Sequence, residues 1–197
     1  MPTLDSRAVS FIAVMAAMGN VLSFLSIQLS PIMPSVPLGP VSVSLAIDLS
    51  HISTFIAAIA GGPIIGGLVG AVGGFVAAFE FGFSQGNLIT GIGLPLGKAM
   101  TGVAAGFLLS RAKNGSTRTI AATIVSYTPE AIFTVVLFVG LFPLYFGMPQ
   151  AVAISIAVPI LVKAYLEMML MGILLSMFAS NNSFKMLLEN QLKNIKN

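Results

Sequence analysis

The sequence contains no cysteine and no tryptophan, and it has few charged residues and a single histidine. Without cysteine, the chain has no disulfides, no thiolate metal sites and no cysteine nucleophile. Charged residues make up 8% of the chain, whereas soluble domains carry about 25%. The pI is near 9.5, but there is no basic stripe with interleaved aromatic residues of the kind that binds nucleic acid. These absences exclude an ordinary soluble domain and a nucleic-acid partner.

The residues that dominate the chain are apolar. Hydrophobic residues make up 56% of the sequence, and the mean hydropathy is +1.00. A membrane-spanning helix needs roughly 20 residues, so the length of 197 residues fits one membrane domain of about six helices. We therefore expect a multi-pass protein of the cell membrane, with the lipid bilayer as its surroundings.

The positive charges are grouped, and their grouping predicts a topology. Lys and Arg residues number nine, and all except Lys98 and Lys163 fall at three places. Positively charged loops stay on the cytoplasmic side of a membrane. The chain is therefore expected to cross an even number of times between neighbouring clusters, with both termini cytoplasmic. The clusters are Arg7; then Arg111, Lys113 and Arg118; then Lys185, Lys193 and Lys196.

Apolar runs and helix breakers predict an all-α integral membrane bundle of six helices. Gly61-Gly62-Pro63 indicates a tight turn between spans two and three, and Pro129 indicates a kink within span five. A four-span arrangement has the same parity, but it would merge two spans across that turn. We assign residues 1–180 to the six-span domain and 181–197 to a polar cytoplasmic tail with a short interfacial helix. The spans are predicted at about 8–29, 49–60, 63–81, 87–110, 118–142 and 150–179.

The connection between spans one and two is rich in proline and cannot be helical. Residues 30–40 contain four prolines, each of which lacks the amide hydrogen that a helix interior needs. Residues 41–45 then alternate in polarity with period two, which indicates a short strand or extended segment. The topology places this Pro-rich connection on the outer side of the membrane.

Small residues recur at helical spacing in the predicted third and fourth spans. Glycines spaced four residues apart form a smooth ridge on one helix face, where another backbone can approach closely. We expect these ridges to be packing seams between helices. They comprise Gly62, Gly66, Gly70 and Gly74 in one series, and the pairs Gly93 with Gly97 and Gly102 with Gly106.

Ionisable residues inside the predicted spans are functional candidates. A charge at membrane depth costs several kcal/mol, so its presence needs a reason. Lys98, Glu130, Lys163 and Glu167 lie near the middle of their spans, and residues 163 and 167 share a helix face. One interpretation is a structural ion network that neutralises itself. A polar cavity open to the outer side is the favoured alternative.

Two short motifs resemble enzyme signatures but lack the surroundings that such chemistry needs. Residues 82–86 match G-x-S-x-G, yet the one histidine of the chain, His51, precedes Ser84 and the motif lies in a predicted loop. Residues 91–98 resemble a phosphate-binding loop, but the glycine spacing fails and alanine follows the lysine. We therefore expect no catalytic residues, no cofactor, no metal site and no ATPase in this chain.

Taken together, the chain resembles the substrate-binding S components of energy-coupling factor (ECF) transporters over about residues 8–180. Ala13-x-x-x-Ala17 on span one is similar to the family's alanine motif. The Pro-rich segment 30–48 corresponds to the family's long first outer loop. Residues 60–67, Ala-Gly-Gly-Pro-Ile-Ile-Gly-Gly, are similar to its turn into span three.

The resemblance implies a function and partners. S components bind a vitamin, a vitamin precursor or a similar micronutrient in the outer half of the membrane. A separate transmembrane coupling subunit and separate ATPase subunits drive import, and the alanine motif contacts the coupling subunit. The resemblance thus implies partner contacts at Ala13 and Ala17. By position it implies substrate contacts at Asp48, His51, Glu80, Asn87, Lys98, Glu130, Lys163 and Glu167.

Two other functional classes remain open from the residues alone. One is a self-sufficient, proton-coupled secondary transporter that uses Glu130 or Glu167 as its proton site. The other is an intramembrane serine hydrolase that uses Ser84. The two transporter classes differ in their partners, because an S component needs ATP and a coupling module for turnover.

The charge clusters make the topology testable. The natural chain has no cysteine, so single cysteines introduced at Ser35, Gly86, Asn114 and Asn197 can be labelled one at a time in intact cells. We expect an impermeant maleimide to label positions 35 and 86 from outside, and positions 114 and 197 only after permeabilisation. Labelling of position 114 in intact cells would contradict the topology.

Overall fold

The computed structural model describes residues 5–38, 41–44, 46–110, 115–181 and 186, and these residues are mostly helical. Five stretches of the described chain are long and apolar enough to cross a membrane. This confirms the helical membrane class predicted from composition. The stretches are Ser6–Leu29, His51–Gln85, Leu88–Leu109, Ser116–Phe146 and Gln150–Phe178.

Eight α-helices and one β-hairpin make up the described part of the chain. The predicted interfacial helix of the tail lies outside the described residues, as do Arg111 and Lys113. The helices are α1 (Ser6–Leu29), α2 (His51–Gly73), α3 (Phe75–Phe81), α4 (Leu88–Leu109), α5 (Ser116–Ser126), α6 (Thr128–Val135), α7 (Phe142–Phe146) and α8 (Gln150–Ser180), and the strands are β1 (Ser35–Leu38) and β2 (Val41–Ser44).

The hairpin lies in the Pro-rich connection between α1 and α2. Its strands are antiparallel, with Ser35 opposite Ser44 and Leu38 opposite Val41. The extended segment predicted at 41–45 is confirmed over Val41–Ser44 as β2, and Leu45 lies outside the described residues. Strand β1 was not predicted, because the prolines of this connection indicated only that a helix was excluded. The hairpin gives the connection backbone hydrogen bonds that an irregular loop would lack.

Helix α2 reverses direction at Gly62. This residue has φ of 78° and ψ of −167°, a conformation that glycine adopts without steric cost. A Cβ on Gly66 would lie 2.7 Å from the Cβ of Ala58, whereas residues eight apart in a straight helix are about 12 Å apart. Residues 51–61 and 63–73 are therefore antiparallel arms that pack against each other. The predicted turn is confirmed, but the long apolar stretches number five rather than the predicted six, because this turn joins two arms in one stretch.

A glycine seam joins α2 to α4, its most extensive helical neighbour. A Cβ on Gly66 would lie 2.6 Å from the carbonyl oxygen of Gly102, and one on Gly70 would overlap the backbone carbonyl of Lys98. A Cβ on Gly74 would lie 3.0 Å from the Cα of Pro95. The predicted packing ridge is confirmed at Gly66, Gly70 and Gly74, and it places the backbone of Lys98 directly against α2. Its first member, Gly62, was wrongly included, because it forms the turn and a Cβ there would contact nothing.

The side-chain amide of Asn20 is inserted into the backbone where α2 passes into α3. In a continuous helix, the amide of Val76 would donate to the carbonyl of Val72. Here the Asn20 amide nitrogen donates to the Val72 carbonyl at 2.9 Å, and its oxygen accepts from the Val76 amide at 3.0 Å. Asn20 thereby satisfies the Val76 amide, and it gives the Val72 carbonyl a second donor beside the Gly74 amide.

The predicted fifth span is divided and is longer than expected. Its helix breaks at Tyr127, close to the kink expected at Pro129, and continues as α6. A wide π-helical turn at Val136–Leu141 then leads into α7. The span was predicted to end before Pro143, which is wrong, because this proline lies in the first turn of α7, where no amide hydrogen is needed.

Four parts of the chain lie at one end of the bundle. Ala8 near the start of α1 packs in one cluster with Ala57 and Ile65, which flank the Gly62 turn. A Cβ on Gly106, near the end of α4, would overlap Pro63. A Cβ on Gly172 would lie 3.0 Å from the Cα of Ile120 in α5, so the last turns of α8 join this end.

Replacement of Asn20 tests its role at the break. Asn20→Leu leaves the Val76 amide without a partner and the Val72 carbonyl with only its bond from the Gly74 amide, and we expect it to lower the free energy of unfolding by about 1–3 kcal/mol. Gln28→Leu is the matched control, because Gln28 is an exposed amide on the same helix. Thermal unfolding in detergent measures both. Equal melting temperatures for the two variants would contradict the bridging role.

Candidate functional site

Lys98 is a buried cation on α4. It lies next to Asp48 and Ser50, which belong to the connection before α2. Its side chain is 5% exposed, and its Nζ lies 3.4 Å from Oδ2 of Asp48, whose side chain is 31% exposed. Nζ also donates a short hydrogen bond to the Ser50 hydroxyl. The Ser50 amide in turn donates to Oδ1 of Asp48 at 2.9 Å. Lys98, Asp48 and Ser50 thus form a closed polar triangle within the apolar bundle.

The same aspartate connects this triangle to α8. The backbone amide of Asp48 donates to Oε1 of Glu167 at 3.0 Å. That oxygen also lies 3.6 Å from Nζ of Lys163, one helical turn earlier. The Lys163 side chain is 33% exposed and that of Lys98 only 5%, so solvent reaches Lys163 more easily. The connection before α2 is therefore fastened to α4 through a side chain and to α8 through a backbone amide.

The Asp48 carboxyl lies in the connection, outside the long helices. The Lys98 ammonium lies 3.4 Å from its Oδ2, and the Ser50 amide donates to its Oδ1 at 2.9 Å. Both contacts favour a charged carboxylate, so we describe Asp48 and Lys98 as an ion pair.

Glu130 stands in the first turn of α6 and points at α4. Its Oε2 accepts a 2.6 Å hydrogen bond from the Thr101 hydroxyl, and its side chain is buried. Gly97 leaves the necessary room, since a Cβ there would lie 3.1 Å from Cγ of Glu130. The carboxyl also interacts electrostatically with Lys98. Its place in the first turn lets the helix dipole of α6 stabilise a negative charge.

Aromatic rings form a wall beside these charges. The His51 ring lies 6.5 Å from the ring of Tyr127, nearly perpendicular to it, and 6.0 Å from the ring of Phe55. Tyr127 also meets Tyr165 edge-on at 5.2 Å. Nδ1 of His51 is buried and has no hydrogen-bond partner among the described residues. A buried polar atom without a partner is rare in folded proteins and calls for an explanation.

The structure brings together six of the eight positions implied as substrate contacts, and two lie apart from them. Glu80 is exposed. Its backbone carbonyl, and not its carboxyl, accepts the hydrogen bond from the Ser84 hydroxyl. Asn87 caps α4, where its side chain accepts from the Thr90 amide at 3.0 Å. The six that converge are Asp48, His51, Lys98, Glu130, Lys163 and Glu167.

The hydroxyl of Ser84 has no base beside it in the described part of the chain. Its oxygen donates to the Glu80 carbonyl at 2.7 Å and lies 3.5 Å from the Gln85 amide nitrogen. His51 instead packs among aromatic rings. The described residues also contain no group of three or more His, Asp or Glu that is placed to hold a metal ion.

Sequence analysis missed two members of the site, Ser50 and Thr101. Both are neutral hydroxyl residues, which carry little signal in an apolar chain. Thr101 follows Lys98 by three residues and therefore shares its helix face. This spacing is the one sequence signal that would have indicated Thr101. Ser50 follows Asp48 by two residues, a spacing typical of a turn that caps a helix.

Comparison with known proteins gives one match. A family model described as the substrate-specific component of the ECF transporter matches residues 7–187 of the chain. This confirms the resemblance found in the sequence. No curated protein and no solved structure matches the chain.

The Lys98–Asp48 pair is testable by a double-mutant cycle. Lys98→Met leaves Asp48 without its cation, and we expect a loss of about 3 kcal/mol in unfolding free energy. Lys163→Met, the control at the more exposed pair, should cost about 1 kcal/mol or less. Adding Asp48→Asn to Lys98→Met should restore part of the loss, since the unmatched charge is removed. Unfolding in detergent measures all variants, and equal losses in the two lysine variants would contradict the assignment.

Proposed function

The chain belongs to the family of ECF transporter substrate-specific components, and on that premise we propose that it binds a vitamin, a vitamin precursor or a similar micronutrient for an ATP-driven importer. It is a transport subunit and not an enzyme. A transmembrane coupling subunit and separate ATPase subunits supply the energy. The substrate binds with high affinity among the six polar residues that converge in the bundle.

The convergence of charges within the bundle carries this proposal. Lys98 and Glu130 are buried on neighbouring helices, and Glu167 joins them from α8 through Asp48. Each such charge is costly in an apolar bundle, and helices pack well without any of them. A polar substrate that binds several of these groups gives their presence a reason. The partnerless nitrogen of His51 supports a site that is completed by a ligand.

The proposal also includes six membrane crossings, with both termini in the cytoplasm. The two arms of α2 are separate crossings, and the second continues through α3. The first arm, residues 51–61, is only about 16 Å long at 1.5 Å per residue. The connection at 46–50 completes its depth and so carries Asp48 to the level of Lys98. The Gly62 turn, the start of α1 and the end of α8 share one end of the bundle, which supports the placement of both termini on one side.

The contact with the coupling subunit is proposed at α1. Ala13 and Ala17 lie one turn apart and are both exposed, while Ala16 between them is buried in the bundle. Small side chains on an exposed helix face let a partner helix approach closely, and van der Waals packing then drives association in lipid. The six converging residues lie outside α1, so coupling and substrate binding are separable.

Bulky substitution on α1 tests this function. Ala13→Trp or Ala17→Trp should reduce ATP-driven uptake to background in liposomes that also contain the coupling and ATPase subunits, because tryptophan holds the partner helix away. Substrate binding in detergent should remain unchanged. Leu25→Trp is the matched control, since Leu25 is exposed on the same helix about 18 Å from Ala13, and it should retain uptake.

Two results would contradict the proposal. Full uptake by the alanine variants would remove α1 as the coupling surface. Uptake by the wild-type protein alone, in liposomes without any ATPase, would favour a proton-coupled secondary transporter that uses Glu130 or Glu167.

A further inference from the structure

The charges of the site do not balance among the described residues. Lys98 is paired with Asp48, and Lys163 is paired with Glu167. The third carboxylate, Glu130, accepts its hydrogen bond from Thr101, which is a neutral hydroxyl. Two cations thus face three carboxylates, and Glu130 is the carboxylate without a lysine of its own.

Burial disfavours the charged form of the Glu130 carboxyl, and the features that oppose this effect do not neutralise it. The first turn of α6 offers the partial positive charge of the helix N-terminus, and Lys98 contributes at longer range. Neither is a full charge in direct contact. A buried carboxylate without a contacting cation is expensive, and a cation that arrives with a ligand removes this cost.

Two further observations narrow the chemistry of such a ligand. The aromatic wall contains Tyr127, which interacts with Glu130, and Tyr165, which is edge-on to Tyr127. Aromatic faces attract cations and pack against flat rings. The partnerless Nδ1 of His51, in a side chain only 5% exposed, offers one more hydrogen bond to a ligand heteroatom.

We propose that the substrate is a flat, nitrogen-containing ring that carries a positive charge with N–H donors, and that these donors bind the Glu130 carboxylate. The ring lies against the aromatic wall, and a second heteroatom hydrogen-bonds to Nδ1 of His51. This inference rests on the proposed function, because it names the substrate class of that same site. It assigns Glu130 as the residue that selects for the cation.

Three probes of the same shape test the charge selection. Benzamidine, benzamide and benzoate share a flat ring and differ mainly in carrying a positive charge, no charge and a negative charge. Ligand-induced shifts in melting temperature, measured as a function of concentration in detergent, give their relative affinities. We expect benzamidine to bind on the order of thirtyfold more tightly than benzamide, and benzoate to bind least.

Glu130→Gln is the decisive variant, and Glu80→Gln is its matched control at an exposed carboxyl outside the site. Glu130→Gln should abolish the preference for benzamidine over benzamide. It should also raise the melting temperature of the ligand-free protein by about 2–4 °C, because it removes an unmatched buried charge. Glu80→Gln should change neither quantity. The second readout does not depend on the choice of probe.

The inference fails if benzamidine binds no better than benzamide, if benzoate binds best, or if Glu130→Gln lowers the ligand-free melting temperature. The last result would show that Glu130 is a structural partner of Lys98. None of these outcomes affects the proposed function, which depends on uptake with the coupling module. Conversely, uptake without any ATPase would overturn the proposed function even if the cation preference were found.

Discussion

An ammonium group inside an apolar helix bundle needs an opposite charge within reach, and much of this structure follows from meeting that need for Lys98. Its partner is not on a neighbouring helix but on the connection before α2. That connection can reach Lys98 because the first arm of α2 is short. The glycine seam is equally necessary, since any side chain at Gly70 would push the backbone of Lys98 away from α2. Backbone packing and charge pairing therefore constrain the same few residues.

The site is held together by groups that belong to different parts of the chain. Asp48 meets α4 through its carboxylate and α8 through its backbone amide, so a shift of the connection would disturb both contacts together. Glu130 depends on a separate feature, the break at Tyr127 that starts a new helix one turn before it. The aromatic wall joins these halves, because Tyr127 contacts both His51 and Tyr165. The connection before α2, α4, α6 and α8 therefore meet at this cluster of side chains.

Much of the architecture follows from the sequence because its signals are strong and local. The Gly62 turn, the glycine ridges and the extended segment at 41–45 are indicated by residue types with narrow conformational preferences. The extension of the fifth span past Pro143 was missed, because proline stops a helix in its interior but begins one equally well. The role of Asn20 was also out of reach. Its partners, Val72 and Val76, lie more than fifty residues away and use only backbone atoms.

The charged residues of the site were predictable for a different reason than its hydroxyls. A lysine or glutamate within an apolar span stands out by its cost, so Lys98 and Glu130 were found without any knowledge of contacts. Glu80 and Asn87 were included because the predicted topology placed them on the outer side. A shared side of the membrane does not mean that two residues are close to each other, and these two lie apart from the cluster. Ser50 and Thr101 carry no such cost and were found only through their contacts.

The reversal at Gly62 also bears on how the protein is made. An arm of eleven residues is too short to span a hydrocarbon core of about 30 Å, so it has no stable transmembrane position of its own. Its closest packing partner is the arm that follows it immediately in the chain, and contacts between sequence neighbours form early. We therefore expect the two arms to enter the bilayer together, as one helical hairpin. Asp48, just before the hairpin, would then pair with Lys98 only after α4 has been synthesised.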